Sequence, residues 1–211
     1  MWKATFKEVF TFFFDNPVIF LIILANYALM FLFAPILGFV AAWFIAIFYL
    51  IGIHGNINDI WNSFKNLSKW GFIVAIILYL LFLITEVVSF FVYNTLIFKF
   101  KISILGLFIF TAIYSLLISI FIHLIYVPLF ASSNFKEFKN NIKRLKLLFT
   151  TKLGVESLIF LWGFMFLTLL AGLIKFIQLT VGLYAVIATF WLTYYTFLAV
   201  KVFKNREFKE V

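Results

Sequence analysis

The stretch GFIVAIILYLLFLITEVVSFFVY, residues 71–93, contains a single charged residue, Glu86. A hydrocarbon core about 30 Å thick is crossed by roughly 20 consecutive apolar residues in helical conformation. The apolar residues here form a continuous run, whereas a strand of a membrane β-barrel alternates between polar and apolar residues. The stretch therefore predicts a transmembrane α-helix.

The whole chain has the composition of a protein that is surrounded by lipid. Of its 211 residues, 66% are hydrophobic and 12% are charged, and the mean hydropathy is +1.16. A typical globular protein has about 45–50% apolar and about 25% charged residues. In hydrocarbon, only helices and closed barrels satisfy their own backbone hydrogen bonds. We therefore predict an all-α integral membrane protein.

Six segments have the length and apolarity of membrane-crossing helices. Asn16 and Pro17 are a favourable N-cap and first-turn pair for the first of them. The chain is predicted to be a single membrane domain, 1–211, that ends in a short cytoplasmic tail, 202–211. The predicted spans are 17–34, 36–53, 71–93, 103–127, 155–177 and 179–200.

The distribution of Lys and Arg predicts the orientation of these spans. With six spans, both termini share a side with the loops 54–70 and 128–154, and that side carries 14 of the 17 Lys and Arg residues. The positive-inside rule then places both termini in the cytoplasm. The layout is typical of small bacterial six-span proteins, so we expect a multi-pass protein of a prokaryotic cytoplasmic (inner) membrane. Because the basic residues follow the loops, the net charge of +9 does not predict a nucleic-acid partner.

Residues 133–154, SNFKEFKNNIKRLKLLFTTKLG, are the most basic segment of the chain. Apolar residues at spacings of three and four predict one amphipathic helix, capped by Asn134 with Glu137 and ended by Gly154. Such a helix would lie on the membrane surface against anionic lipid headgroups, or would dock a cytoplasmic or membrane protein partner. Its basic positions are Lys136, Lys139, Lys143, Arg144 and Lys146.

Three similar motifs suggest an internal repeat. TFKEVF, SFKNLS and NFKEFK share Phe-Lys-Glu/Asn, and each precedes a pair of predicted spans. The architecture can then be written as three copies of a cytoplasmic amphipathic helix followed by a transmembrane hairpin. The predicted repeats are 1–54, 55–130 and 131–201.

Glu86 and Lys175 lie within the predicted spans, where a charge is costly and commonly functional. Glu86 is roughly 10 Å from the outer end of its span at 1.5 Å per residue, and Lys175 is near the outer end of the fifth. The two side chains could form an ion pair, or Lys175 could extend to the headgroups. In a functional interpretation, an uncharged Glu86 couples the movement of a proton or cation. In a third, Glu86 is neutral and hydrogen-bonded and has no transport role.

The fourth predicted span carries a polar column, which we define as Thr111, Ser115, Ser119 and His123. Residues four apart lie on one face of a helix. Small residues at this spacing allow close helix packing. Alternatively, the column lines a polar path that runs inward from the level of Glu86 to His123.

The sequence lacks the motifs of the common enzyme classes. It contains no Gly-rich phosphate loop, no H-E-x-x-H and no G-x-S-x-G motif, and it contains no cysteine. We therefore expect no enzymatic activity, no metal and no cofactor. The function that we expect is that of a small transporter-like protein or permease subunit. The alternative is a non-catalytic, membrane-embedded structural or assembly partner of another protein.

Overall fold

In the computed structural model, the chain is all-helical over the residues that the structure describes, 2–32, 36–173 and 177–204. These residues contain no strand, which confirms the predicted all-α class. Short turns of 3-10 and π helix occupy Ile57–Asp59 and Thr95–Lys99. The α-helices of the described residues are α1 (Trp2–Asp15), α2 (Pro17–Leu32), α3 (Leu37–His54), α4 (Ile60–Asn94), α5 (Ile104–Phe130), α6 (Phe135–Ile142), α7 (Leu147–Thr150), α8 (Lys152–Leu173) and α9 (Ile177–Lys204).

Among the described residues, five helices are long and apolar enough to cross a membrane. A sixth crossing is obtained if α1 and α2, which are bent by 99° where they meet, count together. The prediction of six spans is thus matched by five to six candidates. The first predicted span, 17–34, extends beyond the described part of α2.

The long helices form a bundle in which α3 and α9 are the most buried elements. α3 packs between α2 and α4, whereas α9 packs against α2 and α8, and α8 packs closely against α5. By contrast, α4 approaches α5 mainly near its C-terminal end, where Ser89 and Tyr93 form hydrogen bonds with Tyr114 and Thr111. Small residues bring α3 close to its neighbours, because Ala41, Ala42 and Ala46 are fully buried and Gly71 of α4 leaves room for the side chain of Ile47.

The segment before the third predicted span differs from expectation. Residues 60–70 are the first turns of α4 and do not form a separate amphipathic helix. Asp59 caps this helix by accepting a hydrogen bond from the backbone N–H of Asn62 at 3.3 Å, and Leu67 and Trp70 are buried in the bundle. α4 has 35 residues and no proline. At 1.5 Å per residue it is about 52 Å long.

The basic segment also differs, because it is two short helices, α6 and α7, joined by turns at 143–146. The predicted N-cap is confirmed, since Asn134 Oδ1 accepts from the backbone N–H of Glu137 at 3.0 Å. The prediction that Gly154 ends the helix is wrong: Gly154 lies in the first turn of α8. A Cβ atom there would collide with the carbonyl oxygen of Leu148, so glycine allows the tight α7–α8 junction. The sequence repeat stays a prediction, and its three amphipathic segments take three different forms.

Candidate functional site

A cavity of about 130 Å³ lies within the bundle on the side where α4 and α5 have little contact. Residues from α2, α4, α5, α8 and α9 line it, and most of them are apolar, such as Leu81, Leu161 and Phe164. An engineered cavity of roughly 150 Å³ is large enough for benzene, so this one suits a small ligand. Its lining includes four tyrosines, Tyr27, Tyr126, Tyr184 and Tyr195.

Glu86 lies at the rim of this cavity on α4. It lines the cavity, and it is also exposed on the outer surface of the bundle. Among the side chains that the structure describes, none forms a hydrogen bond or ion pair with Glu86. The predicted partner Lys175 lies outside the described residues, so the Glu86–Lys175 ion pair stays a prediction.

The hydroxyl groups of the four cavity tyrosines are already engaged in hydrogen bonds. Tyr27 pairs with Tyr49 at 2.8 Å, and Tyr126 pairs with Thr196 at 2.6 Å. Tyr184 pairs with Thr168 at 3.0 Å. The fourth, Tyr195, pairs with His123 Nδ1 at 2.9 Å. The tyrosines therefore offer mainly ring faces and edges to a ligand.

The polar column of α5 is buried in the seam between helices. All four of its residues are 0% exposed, and none of them lines the cavity. Tyr93 donates to Thr111 Oγ1 at 2.9 Å, and Trp162 Nε1 of α8 donates to Ser115 Oγ at 3.1 Å. The hydroxyl of Ser119 donates to the carbonyl oxygen of Ser115 at 2.7 Å. The column thus lies in close helix packing, and it approaches the cavity only through the His123–Tyr195 bond.

Sequence reasoning missed the tyrosines, which make up much of the polar interior. Tyr49 is fully buried, and it accepts a hydrogen bond from Thr193 Oγ1 of α9 at 3.1 Å. Tyrosine in membrane proteins is concentrated at the two interfaces, where its hydroxyl can reach water. The position of Tyr27 well inside a predicted span was therefore a signal for a buried hydrogen-bond network.

The basic segment covers one end of the bundle, which we call the basic end. The ring of Phe138 packs on Trp70 with centroids 5.9 Å apart, and Leu148 is fully buried. Asn141 Nδ2 donates to Ser132 Oγ at 2.9 Å, which ties α6 to the end of α5. The predicted basic residues, which are all exposed, are Lys136, Lys139, Lys143, Arg144 and Lys146.

Glu137 of this segment interacts electrostatically with His54 and Lys204 at the ends of α3 and α9. Its carboxylate accepts hydrogen bonds from the N–H and the hydroxyl of Ser133 at 2.8 and 2.9 Å. These bonds lower the pKa of Glu137, and the nearby His54 and Lys204 lower it further. The ionised carboxylate is therefore favoured in the folded chain.

The described residues contain no group of three or more His, Cys, Asp or Glu side chains that could hold a metal ion. No protein-family model, curated protein or solved structure matches the chain. The chemistry of the Glu86 cavity is therefore the basis on which a function can be argued.

Proposed function

We propose that the chain is a small multi-pass transporter-like protein that binds a small organic ammonium ion at Glu86. The observation that carries this proposal is a carboxyl group at the rim of an apolar, tyrosine-lined cavity. An acidic side chain within the membrane is costly and usually marks a site for an ion or a proton. The excess of Lys and Arg on one side supports a cytoplasmic-membrane location with both termini in the cytoplasm.

The cavity has features that favour such a cation over an anion or a sugar. An ammonium group would compensate the charge of Glu86, whereas an anion would be repelled by it. The tyrosine rings present π faces, which attract ammonium groups. Because the tyrosine hydroxyls already have partners, few donors and acceptors remain for a polyhydroxyl ligand.

The slight contact between α4 and α5 supports a role in movement rather than in static binding alone. Glu86 is on α4, which packs extensively on α3 but little on α5. The hydrogen bonds Ser89–Tyr114 and Tyr93–Thr111 join the two helices near the end of α4. A displacement of the remainder of α4 relative to α5 would therefore break few contacts. On the opposite side of the cavity, Tyr195 and His123 lead toward the basic end.

The test is a flux measurement on the purified protein in proteoliposomes. On a solid-supported membrane, a concentration jump of tetramethylammonium or benzylammonium should give a saturable transient current with wild-type protein. Glu86→Gln should abolish the current because it removes the charge at nearly constant volume. Glu156→Gln at the start of α8 is the matched control and should preserve it. Absence of current with wild type, or an unchanged half-saturation in Glu86→Gln, would contradict the proposal.

Lys175 decides whether Glu86 is a ligand-binding or a structural group. If the two residues formed a purely structural ion pair, Lys175→Met and Glu86→Gln would lower thermal stability equally and the double variant would lose no more. Under the proposal, Lys175→Met keeps the current, because the carboxylate remains in place. Thermal unfolding in detergent and the current assay together separate the two outcomes.

The alternative function, a structural or assembly partner, is supported by one surface. Beside the gap between α4 and α5, α4 presents the exposed apolar side chains Ile84, Val87 and Phe91, against which a helix of another protein could pack. In that case Val87→Trp would remove a membrane protein that co-purifies in mild detergent, whereas Leu105→Trp on α5 would retain it.

A further inference from the structure

A second concavity, of about 520 Å³, lies at the basic end between α1, the end of α3 and the end of α9. None of its lining residues belongs to the Glu86 cavity. Three lysines and one acid line it, so its lining carries a net positive charge. We call it the lysine groove, and its charged residues are Lys7, Glu8, Lys201 and Lys204.

The ammonium groups of the lysine groove have unused hydrogen-bond donors. Lys201 Nζ contacts Glu8 Oε2 at 2.8 Å and donates to Thr5 Oγ1 at 2.8 Å. Lys204 Nζ donates to the carbonyl oxygen of Ile53 at 2.6 Å. Since an ammonium group has three N–H donors, Lys201 retains one and Lys204 retains two among the contacts described. Within the groove, Glu8 compensates one of the three positive charges, and Glu137 lies near Lys204 from outside it.

The floor of the lysine groove is apolar and aromatic. Gly52 supplies no side chain, and a Cβ atom there would lie 2.7 Å from the ring of Phe12 and 3.0 Å from that of Phe197. The two rings are themselves 5.5 Å apart, centroid to centroid. The absence of a side chain at position 52 thus lets two rings approach the backbone of α3, beneath the lysines.

The orientation of α1 suits a groove that opens at the level of lipid headgroups. α1 is bent by 99° from α2, so it runs across the bundle rather than along it. Phe6 and Phe14 of α1 are 56% and 79% exposed, which is the arrangement expected where an interfacial helix contacts lipid. Lysines at the end of α9 beside such a helix are placed to meet phosphate groups.

We propose that the lysine groove binds an anionic phospholipid of the adjacent leaflet. Its phosphodiester contacts the ammonium groups of Lys7, Lys201 and Lys204. Its glycerol and upper acyl chain lie against the accessible apolar lining residues Ala4, Ile53 and Ile57. Lysine binds phosphate as a point charge without a fixed geometry, which suits a headgroup of variable structure. The combination of a cationic rim and an apolar lining fits a lipid better than a free phosphate, which has no apolar part.

The test is native mass spectrometry of the full-length protein, titrated in detergent with phosphatidylglycerol or with phosphatidylcholine of the same acyl chains. We expect selective retention of phosphatidylglycerol. Lys7→Gln and Lys204→Gln should each weaken it about fivefold, the effect of one basic residue near anionic lipid. The glutamine at 204 still has an amide donor for Ile53. Lys139→Gln on α6 makes the same charge change away from the groove and should have no effect.

Three results would overturn the proposal. The first is equal retention of the two lipids by the wild-type protein. The second is an equal loss of binding in Lys139→Gln and Lys7→Gln. Because Lys7 has no described hydrogen bond or ion pair, Lys7→Gln should fold normally, and a thermal scan checks this. The third is displacement of phosphatidylglycerol by inorganic phosphate alone, which would identify a free-phosphate site. The Glu86 variants leave all these measurements unchanged under the proposal.

Discussion

Two polar regions of the bundle look alike in the sequence and differ in the structure. The polar column on α5 is fully buried and packs against α8, and its hydroxyl groups bond to neighbouring backbone and side chains. Glu86 on α4 lies at the rim of a cavity, one turn before the hydrogen bonds that join α4 to α5. Polar residues in a closely packed seam stabilise helix association, whereas a polar residue beside a cavity is free to meet a ligand.

The largest effect that separates the two regions should come from added volume. Ser119→Leu forces a larger side chain into the α5–α8 seam and should lower the free energy of unfolding by about 1–3 kcal/mol. Thr85→Leu adds volume beside the cavity and should be neutral or stabilise by up to about 1 kcal/mol. Thermal and denaturant unfolding in one detergent compares them. Equal destabilisation would contradict the distinction between seam and cavity.

An effect of similar size should come from the bond that joins the two regions. Tyr195→Phe leaves the buried imidazole of His123 without its partner and should cost about 1–3 kcal/mol. In a double-mutant cycle with His123→Phe, the second substitution should add little, because the shared bond is already lost. Additive losses would show that the two side chains act independently.

The smallest effect should be seen at the basic end, which α6 covers. Because the pKa of Glu137 is lowered on folding, its contribution to stability is present above the unfolded-state pKa of about 4.3 and is lost as the pH falls through the folded-state value. Glu137→Gln should therefore reduce stability slightly at pH 7 and flatten its decline below pH 5. Unfolding midpoints between pH 3 and 7 test this, with Glu156→Gln as the comparison.

Apolar length was sufficient to predict the helical class and the approximate spans, because hydrocarbon imposes the same requirement on any crossing helix. Helix ends were predicted where a local contact decides them, as at Asn134. They were missed where tertiary packing decides the helix end. Trp70 is buried in the bundle as part of α4, and Gly154 fits against Leu148 at the start of α8.

The candidate site was predicted only in part for the same reason. Glu86 stands out in the sequence because it is charged within an apolar run. Whether Ser119 shares the cavity with Glu86 depends on which helices α5 packs against. The four-residue spacing of the polar column contains no information on this packing. The tyrosines of the cavity come from different helices, so no sequence motif brings them together.

Cysteine accessibility tests the central claim most directly, because the chain has no cysteine of its own. Thr85→Cys beside the cavity and Ser119→Cys in the seam are compared for their rates of modification by aminoethyl methanethiosulfonate, a small ammonium reagent, in proteoliposomes. We predict rapid modification at position 85, slowed by the additional change Glu86→Gln, and little modification at position 119. Equal rates at the two positions, or no effect of Glu86→Gln, would contradict it.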